Sequence, residues 1–116
     1  MKSLALCIMI IILLIPISLS DISYSTKFAS RQQEVKSIIR EYTKIVPDNI
    51  AENIAQCESN FGLYLTNFEG SGAYGLFQFK PMTWNAYCEG DINSFIDQTI
   101  CFDKLYLKHK SWWECR

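Results

Sequence analysis

IAQCESNF at residues 54–61 and GAYGLFQFKPMTW at residues 72–84 decide how this 116-residue chain is read. In the first stretch Ile54, Cys57 and Phe61 continue an apolar stripe that begins at Ile50, with the three- and four-residue steps of a helix. Asp48, directly after Pro47, is the expected N-cap, and the helix is expected to end near Asn60 to Gly62. Glu58 follows Ile54 by four residues and Cys57 by one, so its carboxyl leaves the helix beside the buried stripe instead of opposite it. The second stretch sets Gly72 and Gly75 among Tyr74, Phe77 and Phe79, with Gly62 and Gly70 before it and Tyr64, Leu65 and Phe68 between. Glycines at those intervals permit turns and close backbone approach, and the aromatics predict a short hairpin or an extended cleft wall.

Helices are expected on both sides of this segment. Pro81 suits the first turn of a helix through Tyr87, which Gly90 stops. Ser94 with Asp97 resembles a capping box, with Asp in place of the usual Glu or Gln, and opens a helix expected to run to about Lys110. Upstream, Phe28, Val35, Ile38, Ile39, Tyr42, Ile45 and Val46 form a helical stripe between Lys27 and Val46, with charges on the other face. Asp21 to Thr26 is short, polar and without periodicity, and reads as a tail. The length leaves room for one small core. The predicted fold class is α+β, mainly α, with a small irregular or β-like cleft segment. The organisation is a leader over 1–20, a tail and amphipathic helix over 21–45, and the main domain over 46–116.

The leader has Lys2 as a positive start, an apolar run from Leu4 to Leu14 continuing to Leu19, and small residues at Ser18 and Ser20. This is the pattern of a signal peptide cleaved before Asp21. The alternative is an uncleaved anchor, although about 16 apolar residues fall short of the roughly 20 that span a membrane. Either way the domain is expected outside the cytoplasm: secreted, periplasmic or in the cell wall. Cys7 lies in the leader; Cys57, Cys88, Cys101 and Cys115 remain, an even set that predicts two disulfides in an exported domain, with three pairings open.

Zinc needs close cysteine pairs, yet the nearest here, Cys88 and Cys101, have twelve residues between them. The formal charge is −1, and −2 once Lys2 leaves with the leader, so no strong field attracts nucleic acid. Lys104, Lys108 and Lys110 read as the solvated face of the late helix, and His109, the only histidine, as a surface residue. No phosphate-binding loop, dinucleotide fingerprint or metal motif is present, and no cofactor is expected. The chain is expected to be a monomer, touching a membrane only through an uncleaved leader.

A carboxyl at a helix end, flanked by apolar residues and followed by a Gly-rich aromatic segment, has the setting that raises its pKa into the range of a general acid. Glu58 fits that setting best among the acidic residues; the alternative is a solvated glutamate that simply ends a helix.

Together with WWECR at 112–116, the two stretches quoted above resemble the lytic transglycosylase and resuscitation-promoting-factor group of the lysozyme-like superfamily. In that group a helix ends in Glu-Ser, a Gly-x-x-Gln or Gly-Leu-Gln segment follows, a Thr-Trp pair opens the next helix, and the C-terminus is Trp-rich. The resemblance covers about seventy residues from Val46 onward and implies a compact lysozyme-like domain. It implies Glu58 as the catalytic acid, Ser59 as its supporting hydroxyl, and Gln78 as the glutamine facing the sugar. Gly75, Leu76 and Phe77 would form the cleft wall, Tyr74 a sugar-stacking face, and Thr83 and Trp84 the Thr-Trp pair, with core packing the alternative for Trp84. In relatives the last cysteine returns to the one before the catalytic glutamate. That pairing implies Cys57–Cys115 and leaves Cys88–Cys101. The Asn-Ala-Gly segment and late Tyr of the longer soluble transglycosylases are missing, as they are from the compact branch.

The implied activity is cleavage of the MurNAc–GlcNAc bond of peptidoglycan glycan strands. With one glutamate, the C6 hydroxyl of the sugar closes a 1,6-anhydro product; with a second carboxylate, water completes a lysozyme-type hydrolysis. Glu69, in NFEGSG, is the one candidate for that second group in the presumed cleft segment, and a solvated turn residue is its alternative reading. Two other classes would use the sequence differently: a non-catalytic glycan-binding protein on the same fold, and a secreted disulfide-stabilised toxin or inhibitor.

Overall fold

The computed structural model describes residues 18–66 and 70–115. Most of the leader, with Cys7, lies outside the described residues, as do Phe68 and Glu69. Within them are four α-helices: α1 (Leu19–Tyr42), α2 (Asp48–Ser59), α3 (Pro81–Tyr87) and α4 (Phe95–Leu105), followed by a 3-10 turn at Lys110–Trp112. None is long and apolar enough to cross a membrane. The predicted mainly helical class is the observed one, with two isolated antiparallel bridges, Thr66 to Tyr74 and Tyr74 to Phe79, as its β-like part.

Helix α1 begins well before Lys27, so the segment expected as a polar tail is helical. Ser18 caps it, its Oγ accepting from Asp21 N at 3.3 Å. Its first two turns are exposed. Once packing has nucleated the C-terminal half, each added residue gains a hydrogen bond without a new nucleation cost, and amphipathicity is not required there. The expected cleavage point before Asp21 falls in the first turn of this helix. Val35 and Ile39 are buried where α1 meets α4 and α2, so the helix shares the core of the residues that follow.

The corner after α1 is fixed by α4. The N–H groups of Lys44, Ile45 and Val46 donate to the Asp103 carboxylate at 2.9, 3.0 and 2.8 Å. These donors have no helix of their own to satisfy them, and one buried carboxylate takes all three. Helix α2 then starts one residue earlier than expected. Pro47 is its N-cap, because its carbonyl accepts from Ile50 N and Ala51 N, and Asp48 instead lies 2.9 Å from Thr43 Oγ1. The helix stops where expected, through Asn60 (φ 50°), Phe61 (φ 56°) and Gly62 (φ 79°). Three consecutive left-handed residues reverse the chain sharply, and the cost at Phe61 is offset by burial of its ring.

Pro81 opens α3 and Ser94 caps α4, accepting from Asp97 N at 3.1 Å. The reciprocal arm of the capping box is redirected: Asp97 Oδ2 accepts from Asp91 N at 2.9 Å. Aspartate is one methylene shorter than the glutamate such a box uses. Helix α4 ends at Leu105, short of the expected Lys110. His109 N closes the turn on Leu105 O at 3.0 Å, which sends Trp113 back into the core and Cys115 to Cys57. Both disulfides pair as expected, Cys57–Cys115 and Cys88–Cys101, with Cα separations of 5.6 and 5.5 Å.

The core is aromatic. Phe77 stacks on Phe102 with centroids 4.1 Å apart, and Trp113 meets Phe102 and Phe79 edge-on at 5.0 and 5.5 Å. Such offset and edge contacts are the favoured ring geometries, and they anchor the hairpin and the C-terminus to α4.

Candidate active site

Residues 74–79 form a tight hairpin, with Tyr74 N donating to Phe79 O at 2.9 Å and Phe79 N to Tyr74 O at 3.0 Å. Gly75 (φ 87°) and Gln78 (φ 53°) turn it. Gly75 is obligatory twice over: its φ disfavours any Cβ, and a Cβ would fall 1.9 Å from Gln98 Nε2. Gln98, fully buried on α4, holds the hairpin from beneath. Its Oε1 accepts from Phe77 N at 2.8 Å, and its Nε2 donates to Tyr74 O at 2.9 Å and Ile92 O at 2.7 Å. Sequence reasoning missed Gln98, although its place between Phe95 and Phe102 on the buried face of α4 was a signal for it.

Between this hairpin, the end of α2 and the C-terminal strap opens a cleft of about 1070 Å³, large enough for several sugar rings. Glu58 and Cys57 contribute from α2, Tyr64 and Thr66 from the chain that follows it, Ala73, Gln78 and Phe79 from the hairpin, Lys80 and Thr83 from the start of α3. The strap adds Ser111, Trp112, Trp113, Glu114 and Cys115. Glu58 is half-buried, and burial raises its pKa from 4.5 to about 7, because removing the carboxyl from water penalises the charged form. At neutral pH such a group is present in both protonation states, and it can donate a proton and later accept one.

Three of the residues expected at the site therefore share one cleft: Glu58, Gln78 and Thr83. Gln78 Nε2 donates to Leu65 O at 3.0 Å and Gly75 O at 2.9 Å, while its Oε1 is buried without a partner. The amide thus closes the hairpin on the preceding segment and leaves one acceptor unused.

The other expected site residues lie behind the cleft. Ser59 is buried, its Oγ 2.8 Å from Leu76 O and accepting from Gly62 N at 2.9 Å. It joins the end of the Glu58 helix to the hairpin that carries Gln78. Leu76 and Phe77 are fully buried, Gly75 faces Gln98, and Tyr74 is half-buried with its backbone in the hairpin ladder. Trp84 packs in the core edge-on to Phe79 at 5.2 Å, as its alternative reading had it.

Lys80, Trp112 and Glu114 were not foreseen at the cleft. For the last two the signal was available, since a Cys57–Cys115 bond brings the residues before Cys115 beside Glu58. His109 does not stand alone on the surface but stacks on Trp112, with centroids 3.9 Å apart and planes 10° apart.

A protonatable carboxyl on a rigid helix end, in a cleft sized for a sugar chain, is the arrangement that cleavage of a glycosidic bond requires. The family model of the transglycosylase SLT domain matches residues 25–98, and the chain belongs to this lysozyme-like lytic transglycosylase family. Membership supports a peptidoglycan-cleaving role of the lytic transglycosylase type in general. That role, with two disulfides, points to a location outside the cytoplasm. No curated protein and no solved structure matches the chain.

Proposed function

We propose that this protein is an exported enzyme that cuts the MurNAc–GlcNAc β-1,4 bond of peptidoglycan by a single-glutamate lytic transglycosylase mechanism, with Glu58 as the catalytic group. The observation that carries the reading is Glu58 itself: a half-buried carboxyl with its pKa raised to about 7, facing the cleft. Protonated, it gives its proton to the glycosidic oxygen as the bond to the muramic carbon breaks and an oxocarbenium-like state forms. Ionised, it takes the proton of the C6 hydroxyl on the same sugar, whose oxygen closes on the muramic carbon to give the 1,6-anhydro product. Proton and electrons balance without water, and Glu58 ends as it began.

In this reading Gln78 and Thr83 line the bound strand, and Ser59 acts from behind by fixing the end of α2. Tyr74, Gly75, Leu76 and Trp84 shape the wall without facing the sugar. One observation favours a second outcome: Glu114 brings another carboxyl to the cleft, as a hydrolytic mechanism would need.

The deciding experiment is mass spectrometry of the products from purified peptidoglycan. An anhydro product from the wild type, and none from Glu58→Gln, is the expected result. A reducing-end product that disappears with Glu114→Gln would establish hydrolysis instead. Cleavage by folded Glu58→Gln at the wild-type rate would refute the assignment of Glu58.

A further inference from the structure

The chain has three tryptophans, and two of them, Trp84 and Trp113, are buried. Trp112 is 42% exposed, yet its ring packs against two aromatic neighbours. His109 lies flat against one face of its indole, and Tyr87, itself exposed, meets it at 5.6 Å between centroids. Its backbone sits in the 3-10 turn, with Trp112 N donating to His109 O at 2.9 Å. On the C-terminal side the buried Trp113 donates from Nε1 to Phe77 O at 2.8 Å, and Cys115 is bonded to Cys57.

Nothing in the fold requires an indole at this position to be in water. An aromatic ring that is backed on one face, restrained from both sides and open to solvent is already organised for a flat apolar ligand surface, and it loses little freedom on binding. The surface it lines is the Glu58 cleft. The C–H face of a pyranose ring is the complementary shape and chemistry, and a glycan strand lying in the cleft would present a succession of such faces.

We propose that Trp112, backed by His109 and flanked by Tyr87, is a sugar-stacking subsite on the strap side of the cleft that takes a ring beyond the reacting pair and so grips long glycan strands. The proposal rests on the glycan-cleaving reading of this cleft. Its energetic role is to bind a part of the substrate that does not react, so that this binding energy helps hold the reacting bond against Glu58. Strand length is then the variable that reveals it. A short fragment reaching only the residues around Glu58 gains little from Trp112, whereas a long strand gains the full stacking contact.

The test uses the full chain with Glu58→Gln, which removes cleavage, titrated with purified peptidoglycan glycan strands and, separately, with a tetrasaccharide of alternating MurNAc and GlcNAc. Because Trp112 is the exposed indole of the three, its fluorescence should change on strand binding, and Trp112→Phe should remove that change while retaining most of the affinity. Trp112→Ala should weaken strand binding by about tenfold, the scale of a lost aromatic stack with its buried area, and tetrasaccharide binding by much less. In the background with Glu58 intact, the same variant should lower kcat/KM on strands by a similar factor. Far-UV circular dichroism establishes that the variants are folded.

Equal affinity of Trp112→Ala and its parent for strands overturns the subsite while leaving the role of Glu58 untouched. Equal losses on strands and tetrasaccharide also overturn it, since a grip on rings beyond the reacting pair must depend on length. A parent chain that binds neither ligand, with a wild type that cleaves neither, overturns this proposal and the glycan-cleaving reading together.

Discussion

Replacing Glu58 by Gln should abolish cleavage and, at neutral pH and above, make the protein more stable. Burial raises the carboxyl from 4.5 to about 7 in the folded chain, whereas the unfolded chain keeps the lower value. Below the lower value the group is protonated in both states, and no penalty exists. As the pH rises through this window the unfolded chain releases its proton first, so the native state binds more protons and stability falls. Above about pH 7 the loss is complete. At about 1.36 kcal/mol per pH unit, the full shift corresponds to about 3 kcal/mol. Water in the open cleft screens part of this, so a destabilisation of about 1–3 kcal/mol is expected.

Glutamine has nearly the same shape and does not titrate. The variant should therefore melt several degrees above the wild type at about pH 8, given roughly 4–8 °C per kcal/mol for a domain of this size. The gap should close as the pH falls toward about 4. Thermal unfolding of both proteins across that range, followed by circular dichroism with the disulfides intact, gives the measurement. A Tm difference that is constant with pH would refute the argument that burial tunes this group. The activity of the wild type should fall on the alkaline side above about pH 7, as the acid form is titrated away. The rate with Glu58→Gln should drop about a hundred to ten-thousand-fold, toward the upper end because one group serves as acid and base.

Gln78→Ala should lower turnover on glycan strands by roughly one to two orders of magnitude. It should also cost about 1–2 kcal/mol of stability in urea unfolding, because Leu65 O and Gly75 O each lose one of two donors and keep only the backbone N–H of Gly75 and of residue 78. Gln98→Ala should destabilise the fold by about 3 kcal/mol or more, since Phe77 N and Ile92 O lose their Gln98 partner and Tyr74 O keeps only its bond from Phe79 N, and the same denaturation assay measures it. Of the disulfides, Cys57–Cys115 spans 58 residues and Cys88–Cys101 spans 13. Restriction of the unfolded chain therefore gives about 4 and 3 kcal/mol, and the paired Cys→Ala variants should rank in that order of Tm loss, with the first also releasing the strap from Glu58.

The sequence alone determined the local facts. Apolar spacing located α1 and α2, Pro81 with Gly90 located α3 and the Ser94–Asp97 pair located α4, and the Glu58 carboxyl was placed beside a buried stripe. Its quoted motifs pointed to the family and to both cysteine pairs. Each of these depends on residues a turn or two apart, or on a short ordered pattern, and such information is linear in the chain. The early start of α1 escaped this reading because a polar helix extended from a packed one leaves no periodic trace. Pro47 in place of Asp48 as the cap, and the end of α4 at Leu105, escaped because distant partners decide them: the Thr43 side chain in one case, the return of Trp113 and Cys115 in the other.

Only the tertiary structure decided which side chains face the cleft. Ser59, Leu76 and Trp84 belong to matching motifs, yet their hydrogen bonds and packing turn them inward, while Gln98 supports the hairpin from 20 residues beyond Gln78. Trp112 and Glu114 join the site from the far end of the chain because a disulfide and a buried indole fold the C-terminus over it. A cleft is the space between elements, and its lining depends on how they dock, which no local pattern of residues records.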